Sequence, residues 1–490
     1  MPDNIVFNSI PVDIRTPGQW IEIDPSHAVR GLPTQDRKLL VIGQRLANGT
    51  VQAGVPTLIS TPDQGAAYFG RGSMIHRSII AAKAANDSTP MYAIALDDLP
   101  AGVAATGSLT VTGTVTASGI LALMIAGQRL QIGVLTADTA TTVATKVANV
   151  VNAAADVPVT AVAAAGVVTL TAKHKGLAGN AIDLRLNYYS DDALPVGITA
   201  TLVPMASGAG NPDVMVAITA IGDDQFYSII CPYTDTANLS ALQSMLDTKW
   251  GPMQQKTGHV FNAMVATQAA LTSFGATRNS AHLTTLGIYD TPTPPWELAA
   301  VHGAVCEASG AIDPARPFQT LPLPGVLVPP LKSRFLRTDR DLLLRSGIST
   351  VVWGNDGTAT IERVVTNYQQ NAFGVADVSL LDLETKWTVD YIRYAVRARY
   401  ALKFPRHKLA DDGANYGAGQ PVLTPRIATA ELLSLFGDLE SAAIVENLDQ
   451  FKNNLLVVRS LTDTGRINAI IPPDIVNQFR IFAAAVQYRL

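Results

Sequence analysis

Lys38-Leu39-Leu40-Val41-Ile42-Gly43, Met74-Ile75-His76-Arg77-Ser78-Ile79-Ile80-Ala81-Ala82-Lys83-Ala84-Ala85-Asn86 and Met91-Tyr92-Ala93-Ile94-Ala95-Leu96 are the runs that decide the fold class. The first is a short, wholly apolar run ending in glycine, the pattern of a strand buried on both faces. The second carries apolar residues at helical spacing. The third is again a strand. Between the first two, Thr61-Pro62-Asp63 opens a further helical stretch through Tyr68 and Phe69. Strands alternating with helices predict an α/β layered domain.

Working outward, the same rhythm returns after Gly208-Ala209-Gly210. Asp213 to Ala220 reads as a helix, Gln225 to Cys231 as a strand, Asn238 to Trp250 as a helix and Val260 to Ala266 as a strand. The intervening residues 101–206 are different: rich in Ala, Thr, Val and Gly, and poor in aromatics before Tyr188. Short strands at Ser108 to Val115, Leu121 to Ile125, Arg129 to Val134, Val159 to Val162, Val167 to Thr171, Ile182 to Tyr189 and Ile198 to Leu202 surround one helix, Thr139 to Ala155. This is a small α+β unit inserted into the α/β domain. The expected architecture is α/β and α+β, multi-domain.

Beyond it, residues ~290 to 330 are a proline-rich crossing with a short helix at Val301 to Ser309. Ile348 to Trp353 and Thr358 to Val365 form a hairpin about Gly354-Asn355-Asp356-Gly357. Residues ~375 to 403 read as a long helix with Trp387, Tyr391 and Tyr394 on one face. A Gly/Pro-rich loop from Asp411 to Pro425, a helix at Ala428 to Leu439 and a strand at Leu455 to Leu461 follow.

The two ends are alike. Ile10, Val12 and Ile14 alternate with Pro11, Asp13 and Arg15, and Phe482, Val486, Tyr488 and Leu490 stand at even spacing. Both have the period of a strand. Pro11 lacks a ladder donor, so the first suits a sheet edge. The first is either an arm that donates a strand to another chain or a terminal strand that folds back on its own domain, and the second is again extended.

The 490 residues require more than one core. Charged residues are only 16%, below the roughly 25% of ordinary soluble domains, which suits a chain packed against neighbours. A net charge of -4 argues against nucleic acid as the main partner. Cys231 and Cys306 are too few for a disulfide framework and agree with assembly in a reducing cytoplasm. The start, Met1-Pro2-Asp3-Asn4, does not read as a secretory signal, and no apolar run approaches the ~20 residues of a membrane helix. No direct membrane insertion is expected.

No catalytic, cofactor or metal constellation is found, so an enzyme is not expected. The seven histidines, at 27, 76, 174, 259, 282, 302 and 407, include no pair at helical zinc spacing. Gly70-Arg71-Gly72 begins a dinucleotide pattern, but Ile75 fills the third glycine's place. Asp411-Asp412-Gly413 lacks the spaced oxygens of a calcium loop. Asp97-Asp98 and Asp191-Asp192 read as loop turns. The basic run Arg393, Arg397, Arg399, Lys403, Arg406 and Lys408 is offset only by Asp390. It is either a solvated face or an electrostatic contact with an acidic protein surface.

Leu342-Leu343-Leu344-Arg345-Ser346-Gly347-Ile348-Ser349-Thr350, with Asp356-Gly357-Thr358 and Ile361-Glu362-Arg363-Val364-Val365-Thr366-Asn367-Tyr368, resembles the core of Mu-type phage tail sheath proteins. Leu170-Thr171-Ala172-Lys173-His174-Lys175-Gly176, Gly179-Asn180 and Ile182-Asp183-Leu184 resemble that family's inserted domain, and Asp474 to Leu490 resembles its end. The resemblance implies a homo-oligomer, a helical stack of hexamers around a tail tube protein. Baseplate and tail terminator proteins are its further partners. It implies assembly in the host cytoplasm, residence in the virion tail, and contraction that drives the tube through the host envelope. A headless phage-derived injection device, or another self-assembling virion protein, is the alternative. The implied organisation is an N-terminal arm at 1–30, a discontinuous α/β domain at 31–100 and 207–335, and an outer insertion at 101–206. A tube-facing domain at 336–465 and a C-terminal arm at 466–490 complete it. Ile10, Val12, Ile14, Phe482, Val486, Tyr488 and Leu490 would then join subunits, and Arg393, Arg397, Arg399 and Lys403 would face the tube.

Overall fold

The computed structural model describes residues 15–21, 32–413, 416–417 and 419–489. The chain divides into two compact units: Arg37–Lys386, and the residues before Arg37 together with Trp387–Leu490.

The larger unit is built on one sheet. Strands β1 (Leu39–Gln44), β2 (Thr57–Ile59) and β3 (Met91–Leu96) enclose helices α1 (Pro62–Phe69) and α2 (Met74–Ala85). An inserted region contributes β4 (Ala104–Gly113), β5 (Gly119–Ile125), β6 (Gln128–Val134), α3 (Ala140–Ala153), β7 (Val159–Ala164), β8 (Val167–Lys175), β9 (Leu184–Leu186) and β10 (Ile198–Ala206). The sheet then resumes with α4 (Met215–Ile221), β11 (Ser228–Ile230), α5 (Thr236–Trp250), β12 (His259–Val265), α6 (Gln268–Ala276), β13 (Leu283–Ile288), α7 (Pro295–Ile312), α8 (Arg337–Arg345), β14 (Ile348–Trp353) and β15 (Ala359–Arg363).

The sheet has eight strands in the order β15-β14-β13-β12-β11-β1-β3-β2. Its six central strands are parallel, and antiparallel β2 and β15 close the two edges. All six residues of β1 are buried, as an unbroken apolar run at the centre of a parallel sheet must be. Thr61, Ser73, Asp235 and Thr267 cap the helices that leave the strands by accepting a backbone N–H of the first turn.

The inserted strands keep to themselves, in a four-stranded sheet β10-β4-β8-β7 and a three-stranded sheet β6-β5-β9. Leu109, Val111, Val147, Val151, Val168 and Leu170 are among its buried residues, and they belong to one apolar cluster with Leu40, Ile42 and Ile94 of the main sheet. A polar hub ties the two together. Asp98 accepts from Gln44 Nε2 at 2.7 Å, Lys175 N at 2.9 Å and His174 Nδ1 at 3.1 Å. His174 Nε2 in turn accepts Met74 N at 3.1 Å, so the imidazole is held as the Nδ1–H tautomer. Asp98 is therefore an inter-sheet anchor rather than the loop turn its sequence suggested.

Three boundaries differ from the sequence reading. The α/β body does not stop at 335, because β14 pairs with β13 at Thr285↔Ile348 and Leu286↔Ser349 and carries β15 with it. The crossing helix is not Val301 to Ser309 but Pro295–Ile312, with proline at its first turn, where a missing N–H costs nothing. Gly303 of that helix admits Phe261 so closely that a Cβ would stand 3.1 Å from its ring. The last long helix begins at Leu383, not at ~375. Residues 369–379 instead form a closed turn, with Asn371 N donating to Val375 O at 2.9 Å and Gly374 N to Asn371 O at 2.9 Å.

Candidate functional site

The smaller unit holds the two features that the sequence marked for interaction: the basic helix and the chain end. Its helices are α9 (Leu383–Lys403), α10 (Pro425–Ser441) and α11 (Leu448–Asn454). Its strands are β16 (Lys408–Leu409), β17 (Val422–Leu423), β18 (Val445–Glu446), β19 (Leu456–Arg459), β20 (Ile467–Ile470) and β21 (Asp474–Ile475). Leu432, Leu435, Phe436, Leu439 and Phe451 form a buried core, with the Phe436 and Phe451 rings stacked 3.9 Å apart.

The strands pair only in twos: β16 with β17, β18 with β21 and β19 with β20. The β19–β20 hairpin is antiparallel, from Leu456↔Ile470 to Arg459↔Ile467. Its turn is closed by Ser460 N donating to Arg466 O at 2.9 Å and by Asp463 Oδ1 accepting Gly465 N at 2.9 Å. Among the described residues each strand of this hairpin has one edge without a partner strand. Leu456, Val458 and Ile470 on it are exposed. Beside it Val396, Tyr400, Phe404, Leu432, Val457 and Ile467 line a groove of about 320 Å³. Burial and the Glu431 charge push the Tyr400 phenol up to about 12, so it stays a neutral donor, to Ala428 O at 2.9 Å.

The C-terminal arm is shorter than expected. Residues 466–475 are folded back, because β20 pairs with β19, and β21 pairs with β18 at Val445↔Ile475. Val476 is still tied to the unit, its N–H donating to Ile444 O at 3.2 Å. From there to Arg489 the described chain has no regular secondary structure. Phe482, Val486 and Tyr488 are 80, 89 and 81% exposed. Ile10, Val12, Ile14 and Leu490 lie outside the described residues.

The four basic residues do not share one role. Arg399 is bound to Glu431 at 3.1 Å and to Asp438, and Lys403 reaches Glu431 at 2.8 Å, so both cross-brace α9 and α10. Arg393 lies 3.3 Å from Asp390 one turn back. Arg397 is exposed, as is Arg406 beyond the helix. Sequence reasoning read the run as continuous because the acids that neutralise half of it, Glu431 and Asp438, lie some thirty residues on and meet it only in the fold. It also missed β20 as a partner for β19, although Asp463-Thr464-Gly465 was the available turn signal.

No group of three metal-ligating side chains occurs among the described residues. None of the described helices is long and apolar enough to cross a membrane.

Residues 207–367 match the phage tail sheath protein central domain, and residues 375–489 match the phage tail sheath C-terminal domain. The first match runs past 335 and takes in both β14 and β15. The Mu-like prophage FluMu tail sheath protein of Haemophilus influenzae is 42% identical over 487 residues, which is 99% of this chain and 100% of that one. The crystal structure of a sheath tail protein from Desulfitobacterium hafniense aligns over 94% of this chain and 100% of its own at 12% identity, with a TM-score of 0.48. One from Listeria innocua aligns over 91% and 93% at 10% identity, also at 0.48.

Proposed function

The chain belongs to the phage tail sheath family, and from that premise we propose that it polymerises as stacked hexameric rings around a tail tube protein. The assembled sheath contracts and drives the tube through the host envelope. The subunit is structural rather than catalytic, assembles in the host cytoplasm and resides in the virion tail, with baseplate and tail terminator proteins at its ends.

One observation carries this reading: exposed apolar residues of strand period, Phe482, Val486 and Tyr488, lie near the end of a unit whose hairpin has two edges without a partner strand among the described residues. Strand addition satisfies both, through backbone hydrogen bonds and alternate side-chain contacts. Burying Phe482, Val486 and Tyr488 supplies about 1.5–3 kcal/mol each. Ordering the eight or so residues around them costs about 1–2 kcal/mol per residue. A single arm is therefore weak, and only many arms at once make a stable mesh. Donor and acceptor are different surfaces, so the contact is heterologous and propagates. The N-terminal alternation of Ile10, Val12 and Ile14 is assigned the same role toward a second neighbour. Arg393 and Arg397 are assigned to the tube, with Arg399 and Lys403 setting the helix that presents them.

Negative-stain microscopy of the purified chain tests the proposal. The full chain is expected to form hollow helical tubes, and a chain without residues 1–20 to stay soluble and unpolymerised. A full chain that stays monomeric at high concentration overturns it.

A further inference from the structure

The closed turn before α9 is built as a rigid knob. Its base is fixed by Asn279 Oδ1, which accepts Gln369 N at 2.8 Å and Gln370 N at 3.1 Å. Gln369 Nε2 donates to Gly275 O and Arg278 O at 2.9 and 3.1 Å. Asp377 Oδ2 accepts the Tyr368 hydroxyl at 2.6 Å. At the tip, Asn371 Oδ1 accepts both Phe373 N and Val375 N, and Gly374 supplies the φ of +74° that the bend requires. All this ordering presents apolar side chains to water. Phe373 is 91% exposed, with Val375 and Val378 exposed beside it and no charged group from Gln369 to Ala376. A solvated loop gains nothing from that arrangement, whereas a preorganised apolar anchor gains affinity.

The same unit carries an unfilled groove of about 620 Å³ at the C-terminal end of α7. Val305, Ala308, Ile312, Pro317, Leu321 and Pro324 line it. A void of about 150 Å³ holds a benzene ring, so this one takes the Phe373 ring with Val375 beside it. The only charge on its lining is Arg316, which suits an uncharged tip. Knob and groove belong to one compact unit in which Phe373 stands in solvent, so a ring that fills the groove comes from another molecule. A knob on one surface and a hole on another make a contact that repeats without closing.

We propose that the Phe373 knob of one subunit seats in the α7 groove of a second copy of this chain, an interface independent of the terminal arms. It deepens the polymerisation reading and rests on it for context, yet fails separately. The test is disulfide trapping of the full chain carrying both Ala372→Cys, beside the retained Phe373 ring, and Ile312→Cys. Both positions are solvent-exposed, Ile312 at 84%, and the native Cys231 and Cys306 are buried. Mild oxidation is expected to give a ladder of covalent oligomers from the double variant and monomers from each single one. Tubes without a ladder overturn the knob contact and leave the sheath reading standing. A ladder of short oligomers without tubes supports the contact and overturns the sheath reading. Absence of both overturns both, and dimers from Ala372→Cys alone replace the proposal with a knob-to-knob contact.

Discussion

The two units treat their strands in opposite ways. In the larger, the parallel strands are flanked on both sides and the edge positions are taken by short antiparallel strands, so the main sheet is complete within one chain. In the smaller, the strands pair only in twos, and an apolar segment of strand period is left in water. A buried parallel sheet cannot leave its backbone groups unpaired without a penalty of about 1–3 kcal/mol each. Open two-stranded pairs at the surface pay nothing in water and become liabilities or docking sites. The larger unit completes its main sheet within the chain, and on the proposed function the smaller unit is the one that neighbours would complete.

Substitutions can break that contrast or sharpen it. The largest effect is expected within the finished unit. Glu307 is fully buried, 3.6 Å from Arg37, and accepts from the Ser228 hydroxyl. Burial, against the pull of Arg37, raises its carboxyl above the usual range. Glu307→Ala strips the buried guanidinium of its carboxylate and should cost about 3–5 kcal/mol in denaturant unfolding. Polymerisation should then be lost only through unfolding.

Deleting residues 481–490, beyond the contacts of Val476, Phe479 and Arg480, should do the reverse. The melting profile should stay within about 1 °C, while the critical concentration for tubes rises at least ~100-fold, by sedimentation. A large loss of monomer stability would mean that the tail completes its own unit.

The Asp98 hub joins two parts of the finished unit and should show itself in pH. Burial raises the Asp98 carboxyl, but hydrogen bonds from His174, Lys175 N and Gln44 outweigh burial and leave it below the ordinary 3.8. A depressed carboxyl contributes stability that is present above 3.8 and is lost as pH falls through the lower folded value. Asp98→Asn should therefore cost about 1–2 kcal/mol at pH 7 and flatten the decline of stability below pH 4. An unchanged acid limb in urea titrations would remove the hub from the account.

Ile470→Lys places a charge on the open hairpin, the device by which natural edge strands refuse partners. Monomer stability should move by less than about 0.5 kcal/mol and the critical concentration should rise about tenfold. Arg397→Glu should have the smallest effect, a few-fold weaker co-assembly with the tube and no change in sheath self-assembly, as for a rim charge. Equal co-assembly would leave Arg397 a solvated residue.

How much was legible follows from the range of the forces. Local signals worked where they were complete: the apolar run at Leu39–Ile42, the helix at Met74–Ala85 and the insertion with its change of composition all stand near where the sequence put them. Misreadings came where the deciding partner was distant. The stretch before Leu383 looked helical, but Asn279, some ninety residues earlier, takes the backbone N–H groups of Gln369 and Gln370 at its base, and the Gly275 and Arg278 carbonyls take the Gln369 side chain. Ile467–Ile470 looked like part of a free end, but Leu456–Arg459 pairs with it. Arg399 looked like part of a basic face until Glu431 and Asp438 arrived.

By itself the sequence determined the classes of element, the change of composition after Pro100 and the strand period of the chain end, all of which depend on residues close together in the chain. Only the tertiary structure decided where the α/β body ends, which cations are spent internally, how much of the chain end folds back, and that an apolar knob and an apolar groove share one unit. Those are properties of pairing across dozens or hundreds of residues, where a strand edge or a charge has no fixed meaning until its neighbour in space is known.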